Sequence, residues 1–253
     1  MQTTLFDTTE ALTDEAIEFL RLNCSDGQVL ACFSGGKDSI VTEHLCKLAG
    51  LDYQLQSTLT GIDPPMVTRF IRKYYPYCQF IQPRQSFWHL ITTHNPPGGT
   101  GRAIKWCCKK IKEEPSDASP HVNRVFGIRA EESPGRAKYG KISNFLGYKR
   151  FYPIFDWTEY HVWDFIEKHN LPYPALYDMG FDRVGCVICP NHHGHHEMYR
   201  VIYPNHFKCF EKYVRIWFAK RQGQGRIMWH KTPEDFLIDW YAGHFFYYRP
   251  QGS

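Results

Sequence analysis

The segment SGGKDS at residues 34–39 combines residue types that bind a phosphate chain. Its members are Ser34, Gly35, Gly36, Lys37, Asp38 and Ser39. Adjacent glycines let the backbone turn sharply and point N–H groups at an anion, and the hydroxyls and the lysine add donors and a positive charge. An aspartate beside them suits a Mg²⁺ ion that bridges phosphates. The spacing is not that of Walker A, G-x-x-x-x-G-K-[ST], so a phosphate site of another kind is predicted.

Four of the nine cysteines fall in two pairs with the spacing C-C and C-x-x-C. They are Cys107, Cys108, Cys186 and Cys189. Four thiolates are enough for zinc or for an iron–sulfur cubane. Neighbouring cysteines suit different irons of a cubane better than one small ion, and Lys105, Lys109 and Lys110 would offset the negative charge of a cluster.

Two alternatives to a cluster stay open. The first is a zinc site joined by histidines that follow the second pair, namely His192, His193, His195 and His196. The second is four unrelated cysteines, since free cysteine is commonly buried as a small apolar residue. Four other cysteines, Cys24, Cys32, Cys46 and Cys78, are expected to be core or incidental residues.

A third polar segment, GIRAEESPGR at residues 127–136, follows a predicted strand. Ligands of α/β proteins bind at the ends of such strands. Arg129 and Arg136 could each place a guanidinium fork on phosphate or sulfate oxygens, and Gly127 is counted with the nucleotide-binding residues. A charged surface loop is the alternative interpretation.

The elements that must position these residues alternate between strands and helices. Apolar runs predict strands at residues 28–33, 51–59, 123–128 and 151–155. Helical spacing predicts helices at residues 9–23 (with Thr13 as cap), 37–50, 64–74, 158–170 (with Thr158 as cap) and around 199–221. The glycine turn of residues 34–39 therefore lies between a buried strand and a helix, which favours a phosphate site over a solvated turn.

This alternation predicts an α/β fold with a doubly wound parallel sheet and a small C-terminal helical or irregular subdomain. We expect a nucleotide-binding domain at residues 1–190, which carries the four cysteines, and an aromatic-rich helical extension at residues 191–253.

Composition narrows the class of protein. The 30 Lys and Arg exceed the 26 Asp and Glu slightly, which suits a phosphate-bearing ligand but is not by itself typical of a nucleic-acid-binding protein. The sequence has no apolar run of membrane-spanning length and no basic signal-peptide start. We therefore expect a cytoplasmic protein that does not bind membranes.

Three segments resemble known motifs. SGGKDS resembles the PP-loop of ATP pyrophosphatases, which cleave ATP between the α and β phosphates. The cysteine spacing is similar to the iron–sulfur signature of bacterial adenylylsulfate reductases, and residues 127–136 are similar to an element found across phosphoadenosine-phosphosulfate-reductase-like proteins. The chain is identified as a member of that family, within the PP-loop superfamily, over roughly residues 28–190.

The resemblance implies an adenine nucleotide α-hydrolase-like fold that binds ATP and Mg²⁺ at residues 34–39, with Lys37, Asp38, Arg129 and Arg136 as catalytic residues. It also implies a [4Fe-4S] cluster on the four paired cysteines, with zinc as the alternative.

Sulfonucleotide reductases of this family carry a C-terminal E-C-G-[IL]-H segment, whereas this sequence has no cysteine after Cys209. The resemblance therefore favours an ATP pyrophosphatase that activates DNA for sulfur insertion, as in phosphorothioation. Expected partners are a cysteine desulfurase, a DNA or tRNA acceptor and a second copy of the chain in a homodimer. The alternatives are an adenylylsulfate or phosphoadenylylsulfate reductase, a tRNA thiolation enzyme and a non-catalytic nucleotide-binding subunit.

Overall fold

The computed structural model describes residues 8–24, 27–98 and 106–244, with the backbone alone at residues 191–193. The chain forms two compact units, each built from separate segments. The sheet unit comprises Met1–Thr58, Pro65–Ile81 and Ser119–Val184, and the helical unit comprises Leu59–Pro64, Gln82–Ala118 and Gly185–Ser253. The predicted division into residues 1–190 and 191–253 stays a prediction.

The sheet unit contains six strands in the order β3-β2-β1-β4-β6-β5. Their bounds are β1 Val29–Cys32, β2 Tyr53–Thr58, β3 Gln79–Ile81, β4 Asn123–Phe126, β5 Ile142–Phe145 and β6 Tyr148–Phe151. All neighbouring pairs are parallel except β5 and β6. The predicted α/β fold with a largely parallel sheet is confirmed.

The central strand β1 is apolar and is paired with a parallel strand on each of its two edges. Its Ala31 pairs in register with Leu55 of β2 and with Val125 of β4, and all three side chains are buried. Strands inside a parallel sheet read as continuous apolar runs, and the sequence VLAC of β1 follows that rule.

Four helices belong to the sheet unit: α1 Thr9–Cys24, α2 Lys37–Leu48, α3 Pro65–Tyr74 and α6 Glu159–Lys168. The Thr158 hydroxyl accepts a hydrogen bond from the His161 N–H, so the predicted cap of α6 is confirmed. The predicted cap at Thr13 is wrong, because α1 already begins at Thr9 and the Thr13 hydroxyl donates back to the Thr9 carbonyl within the helix.

The strand predicted at residues 151–155 is also wrong, since only Phe151 lies in a strand. The chain instead forms a β5–β6 hairpin whose turn residues Leu146 and Gly147 both have positive φ. Residues 152–157 then turn towards α6. The apolar residues Tyr152, Ile154 and Phe155 are buried there without being in a strand.

The helical unit contains α4 Phe87–Thr93, a π-helical turn at Cys108–Glu113, α5 Glu114–Asp117, α7 His196–Ile202, α8 Pro204–Gly223 and α9 Pro233–Tyr241. The helix predicted around residues 199–221 is thus two helices, α7 and α8, separated at Tyr203, and Pro204 begins the second. The core of this unit is aromatic, with Phe87, Phe210, Trp217 and Trp240 among its fully buried side chains.

Across the described parts of the chain, no helix has both the length and the apolar character needed to span a membrane.

Candidate functional site

The predicted phosphate-binding segment, residues 34–39 and called the phosphate loop below, occupies the turn between β1 and α2. Gly35 has a φ of +74°, and a Cβ at this position would lie 2.9 Å from Val67 Cγ1 of α3. Gly36 precedes the first residue of α2 as its N-cap. The tight strand-to-helix turn therefore needs glycine at position 35 for its backbone conformation and for the space beside it.

The start of α2 presents open hydrogen-bond donors. Among the described residues, the backbone N–H groups of Gly35 and Asp38 find no acceptor. The Lys37 N–H donates to the hydroxyl of Tyr177 at 2.9 Å, and Ser39 Oγ donates to the Gly36 carbonyl at 2.8 Å. Unpaired N–H groups at a helix N-terminus, where the helix dipole is positive, favour an anion.

Gly127 lets the end of β4 approach this loop closely. A Cβ on Gly127 would lie 2.6 Å from the carbonyl oxygen of Asp38 and 2.9 Å from the nitrogen of Ser39. Both are backbone atoms, so a larger residue would have to displace the start of α2. Gly127 therefore supports the shape of the loop, and its assignment to the nucleotide site stays a prediction.

Arg129 fixes the carboxylate of Asp38. Its Nε lies 2.6 Å from Asp38 Oδ1, and its Nη1 lies 2.7 Å from Glu131 Oε2. Burial disfavours the charge of Arg129, but Asp38 and Glu131 outweigh that effect and raise its pKa. The Arg129 side chain is 6% exposed and that of Asp38 is 21% exposed. The second oxygen of Asp38, Oδ2, has no partner among the described residues.

Arg136 is held differently. It forms an ion pair with Glu132, whose Oε1 also accepts the backbone N–H of Arg129 at 3.0 Å. The structure therefore links Lys37, Asp38 and Arg129 directly at the loop, whereas Arg136 reaches it only through Glu132.

The Lys37 ammonium is already paired. Its Nζ donates to the carbonyl of Asp182 at 2.7 Å and lies 3.2 Å from Glu159 Oε1, and the side chain is 4% exposed. Tyr177 packs beside it, with the ring centroid 5.3 Å from Nζ, and also contacts Trp163 at 5.1 Å between ring centroids.

Sequence reasoning missed Tyr177 and Glu159 as residues of this site. Glu159 is the first residue of a capped helix, and an acidic residue at that position is ordinarily explained by the helix dipole alone. No local pattern indicates that either side chain meets the loop.

The four paired cysteines all lie in the helical unit and all are partly buried. Cys107 interacts electrostatically with the other three, and its pKa is raised by its hydrogen bond with Cys108, by burial and by the remaining two thiols. The two pairs, which the sequence separates, therefore lie within electrostatic range of each other.

Two charged residues accompany the thiols. Cys186 Sγ donates to Asp63 Oδ1 at 3.7 Å, and Lys112 Nζ lies 3.9 Å from the same oxygen. Cys186 raises the pKa of Lys112, and burial raises the pKa of Cys186 to about 12. Lys110 instead pairs with Glu114 at 3.9 Å, and the predicted contribution of Lys105 lies outside the described residues.

No group of three or more His, Cys, Asp or Glu side chains within the described residues is arranged to hold a single metal ion. The ring of His196 packs face to face on Trp240 at 5.4 Å and hydrogen-bonds to the Cys189 carbonyl at 3.1 Å. The side chains of His192 and His193 lie outside the described residues. Cys24, Cys46 and Cys78 are buried, which raises the pKa of each thiol, as predicted for core residues.

Known proteins share a domain and a fold with this chain. The model of the phosphoadenosine phosphosulfate reductase domain matches residues 28–192. The crystal structure of the phosphoadenylyl-sulfate reductase of Candida auris has a TM-score of 0.52 at 16% identity, covering 73% of this chain and 96% of that one. At that identity the likeness shows the fold alone.

Among curated relatives, an uncharacterized protein of Methanocaldococcus jannaschii is 31% identical over 175 residues, which is 64% of this chain and 36% of that protein. The adenosine 5'-phosphosulfate reductase of Allochromatium vinosum is 28% identical over 200 residues, covering 72% of this chain and 76% of the enzyme. A second uncharacterized M. jannaschii protein is matched over 40% of its length, so the chain spans well under half of these two archaeal relatives.

The family match begins at residue 28, just before β1, and ends just past Cys189, so it contains the phosphate loop, the Arg129 segment and all four paired cysteines. Because it covers more than half of the sequence, this chain belongs to the phosphoadenosine phosphosulfate reductase domain family.

Proposed function

We propose that the chain binds ATP with Mg²⁺ at residues 34–39, cleaves it between the α and β phosphates, and thereby adenylates a nucleic-acid acceptor for sulfur insertion. The preferred acceptor is the DNA backbone, as in phosphorothioation.

The observation that carries this proposal is the arrangement of Asp38. Its backbone N–H and that of Gly35 are open donors at the start of α2, and its carboxylate is fixed by Arg129 with one oxygen left unpaired. Donors and a fixed carboxylate side by side suit a polyphosphate together with a divalent cation.

Each residue then has a distinct role. The N–H groups of Gly35 and Asp38 bind phosphate oxygens, and Arg129 orients Asp38 through its Nε while Glu131 holds the other end of the guanidinium. Asp38 would hold the Mg²⁺, which supplies positive charge to the departing pyrophosphate. Lys37 is a positioning residue, since its ammonium joins α2 to Glu159 and to the Asp182 carbonyl.

The sulfur chemistry follows from adenylation. An oxygen of the acceptor phosphate attacks the α-phosphorus of ATP, and pyrophosphate leaves. The outer sulfur of a persulfide, supplied by a cysteine desulfurase, then attacks the activated acceptor phosphorus, and AMP leaves with the oxygen. A second thiol cleaves the S–S bond, so that the two thiols become a disulfide and the sulfur stays on the acceptor.

A [4Fe-4S] cluster would be held by the four paired cysteines, Cys107, Cys108, Cys186 and Cys189. When bound, it would join the segments of the helical unit that carry them and supply iron that can bind sulfur. Two features support this assignment. Cys107 interacts electrostatically with the other three thiols, and Lys112 supplies positive charge beside Cys186. A cluster ligated by four thiolates carries negative charge, which such a lysine stabilises.

A sulfonucleotide reductase is the second candidate, because the A. vinosum relative that this chain matches over 76% of its length is such an enzyme. A reductase needs a nucleophilic thiolate, and reactive cysteines have lowered pKa values. Burial instead raises the pKa of Cys24, Cys46, Cys78 and Cys209. Adenylation, which needs no thiol at the loop, fits these observations better.

The test is ATP turnover by anaerobically purified protein with Mg²⁺ and no acceptor, so that water attacks the α-phosphorus in place of the acceptor, with AMP and pyrophosphate measured separately. We expect equal amounts of both from the wild type and neither from Asp38→Asn. Asp52→Asn, which changes an exposed aspartate of the sheet unit, serves as the matched control and is expected to retain turnover.

Two outcomes would contradict the proposal. Unchanged turnover in Asp38→Asn would remove the loop from the reaction. Release of sulfite from adenylylsulfate with a thiol reductant, without any pyrophosphate from ATP, would establish the reductase instead.

A further inference from the structure

The long helix of the helical unit has two contrasting faces. One side of α8 packs into the core through buried residues, namely Phe207, Phe210, Val214, Trp217 and Phe218. The opposite side carries Lys208, Lys212 and Arg215, all exposed and spaced four and three residues apart. Residues at that spacing lie on one face of a helix, so the three cations form a line along its surface.

This cationic line is not neutralised locally. The helix contains five Lys and Arg against a single acidic residue, Glu211. The carboxylate of Glu211 is turned to Arg200 at 3.4 Å and accepts a hydrogen bond from the Tyr241 hydroxyl. Lys208 and Lys212 form no ion pair with any residue that the structure describes. Arg215 pairs with Glu234 at 2.9 Å, but both side chains are about half exposed, where such pairs are weak.

Further exposed cations follow the cationic line along the chain. Lys220 is exposed near the C-terminal end of α8, and Arg226 and Lys231 are exposed in the segment that joins α8 to α9. From Lys208 to Lys220 the helix extends about 18 Å. We call the exposed side of α8 formed by Lys208, Lys212 and Arg215 the cationic face.

We infer that the cationic face binds the phosphate backbone of double-stranded DNA, which is the acceptor class of the proposed adenylation. The identity of the acceptor rests on the proposed function, whereas the assignment of the DNA-binding surface rests on the charge and exposure of its side chains. A linear array of exposed cationic side chains is complementary to a regularly spaced line of phosphates.

Two features favour duplex DNA over other anionic partners. Proteins that bind single strands offer aromatic platforms for unstacked bases, but Tyr213, which follows Lys212 in α8, is half-buried and stacked on Trp88 at 5.6 Å. A membrane-bound helix inserts its apolar side into lipid, whereas the apolar side of α8 is occupied by the protein core.

The test compares Lys208→Gln/Lys212→Gln with a matched pair in the sheet unit, Lys73→Gln/Lys149→Gln, which removes the same charge from exposed positions. Binding of a short labelled DNA duplex is measured over a series of salt concentrations. We expect the α8 variant to bind about tenfold more weakly and its slope of log K against log salt to fall by about 1.8. The control variant should keep the wild-type affinity and slope.

Several results would overturn the inference. They are equal losses in both variants, an unchanged salt slope in the α8 variant, or tighter wild-type binding to single-stranded RNA or to phosphatidylserine vesicles than to the duplex. Thermal melting of both variants by circular dichroism checks that they are folded.

Pyrophosphate release, measured on the same samples without DNA, separates this inference from the proposed function. Normal ATP turnover without DNA binding would reject the cationic face alone. DNA binding that depends on Lys208 and Lys212, without any ATP turnover, would reject the proposed activity and keep the surface.

Discussion

The two compact units differ in charge and in how their functional residues are assembled. The sheet unit carries 15 Lys and Arg against 17 Asp and Glu, whereas the helical unit carries 15 against nine, which together make the 30 and 26 of the chain. The mild basic bias of the whole sequence therefore conceals a balanced unit and a strongly basic one. Net charge averaged over a chain can hide the surface that matters for a polyanion.

The units also build their sites by different means. In the sheet unit the phosphate loop is one continuous segment, and its shape is set by backbone contacts at Gly35 and Gly127. In the helical unit the thiols come from two distant segments, and Asp63 comes from a third. Backbone geometry dominates in the first site and side-chain chemistry in the second, so substitutions should affect the two sites in different ways.

The largest effect is expected from Gly127→Ala. The new Cβ would overlap backbone atoms of Asp38, which cannot rotate away, so the start of α2 must shift. Displacing catalytic groups by about 1 Å lowers turnover about 100-fold, and overpacking lowers the free energy of unfolding by about 1–3 kcal/mol. Pyrophosphate release and thermal melting measure both effects.

Gly223→Ala at the end of α8 is the matched change in the helical unit, since a Cβ there meets no described atom within 4 Å. It should leave ATP turnover unchanged and slightly raise the melting temperature, because alanine favours the helix more than glycine does. Equal destabilisation by the two substitutions would show that backbone crowding is not special to the phosphate loop.

A smaller loss is expected from Arg129→Lys. Lysine cannot reach Asp38 and Glu131 at the same time, so a charged hydrogen bond worth about 2 kcal/mol is lost and turnover falls about 30-fold. Arg136→Lys should cost much less, because Arg136 is 28% exposed and its ion pair is with Glu132 alone. Comparable losses in the two variants would place Arg136 on the nucleotide as well.

In the helical unit, Cys186→Ser should remove most of the iron and sulfide bound per chain after anaerobic purification. Serine keeps the size of the side chain but removes a thiolate ligand. Cys209→Ser, in the same unit but outside the two pairs, should keep full iron content. Zinc in place of iron in the wild type, or full iron in Cys186→Ser, would contradict the assignment of the cluster to these four residues.

The smallest effect is expected in how the stability of the sheet unit depends on pH. His44 of α2 lies 5.0 Å from His169 and 5.8 Å from Phe165 between ring centroids, with Glu43 and Lys47 also nearby. Burial, the neighbouring His169 and Lys47 lower the pKa of His44, although Glu43 opposes them. The unfolded chain therefore binds a proton at a pH where folded His44 does not, and stability falls as the pH drops below about 6.5.

Urea unfolding at pH 7.5 and pH 5.5 measures this loss. His44→Phe should show a smaller drop in the urea midpoint between the two pH values than the wild type. An identical drop in both proteins would assign the pH dependence to other groups.

The sequence predicted what is determined locally. The apolar run before residue 34, the paired glycines and the periodic residues after them indicate strand, loop and helix because each feature acts within a few residues. The β5–β6 hairpin was missed, because Ile142–Phe145 lies at the sheet edge and alternates exposed with half-buried side chains instead of forming a continuous apolar run.

The contacts around the loop could not be predicted in this way. Lys37 is held by Tyr177 and Asp182, which are 140 and 145 residues away in the sequence. The clash that forbids a side chain at Gly127 likewise depends on how closely β4 and α2 pack. Such contacts arise from the tertiary fold, and no periodicity or propensity encodes them.

The hydroxyl of Tyr177 accepts the Lys37 N–H at the start of α2, a donor that a phosphate oxygen could otherwise use, and its ring lies against Trp163. A nucleotide that takes this N–H must move the tyrosine, and the indole next to it then has a new environment. Trp163 is therefore a built-in optical probe of loop occupancy. Adding ATP should change the tryptophan fluorescence, and this change should disappear in Trp163→Phe. Its dependence on ATP concentration would give a binding constant without any attached label.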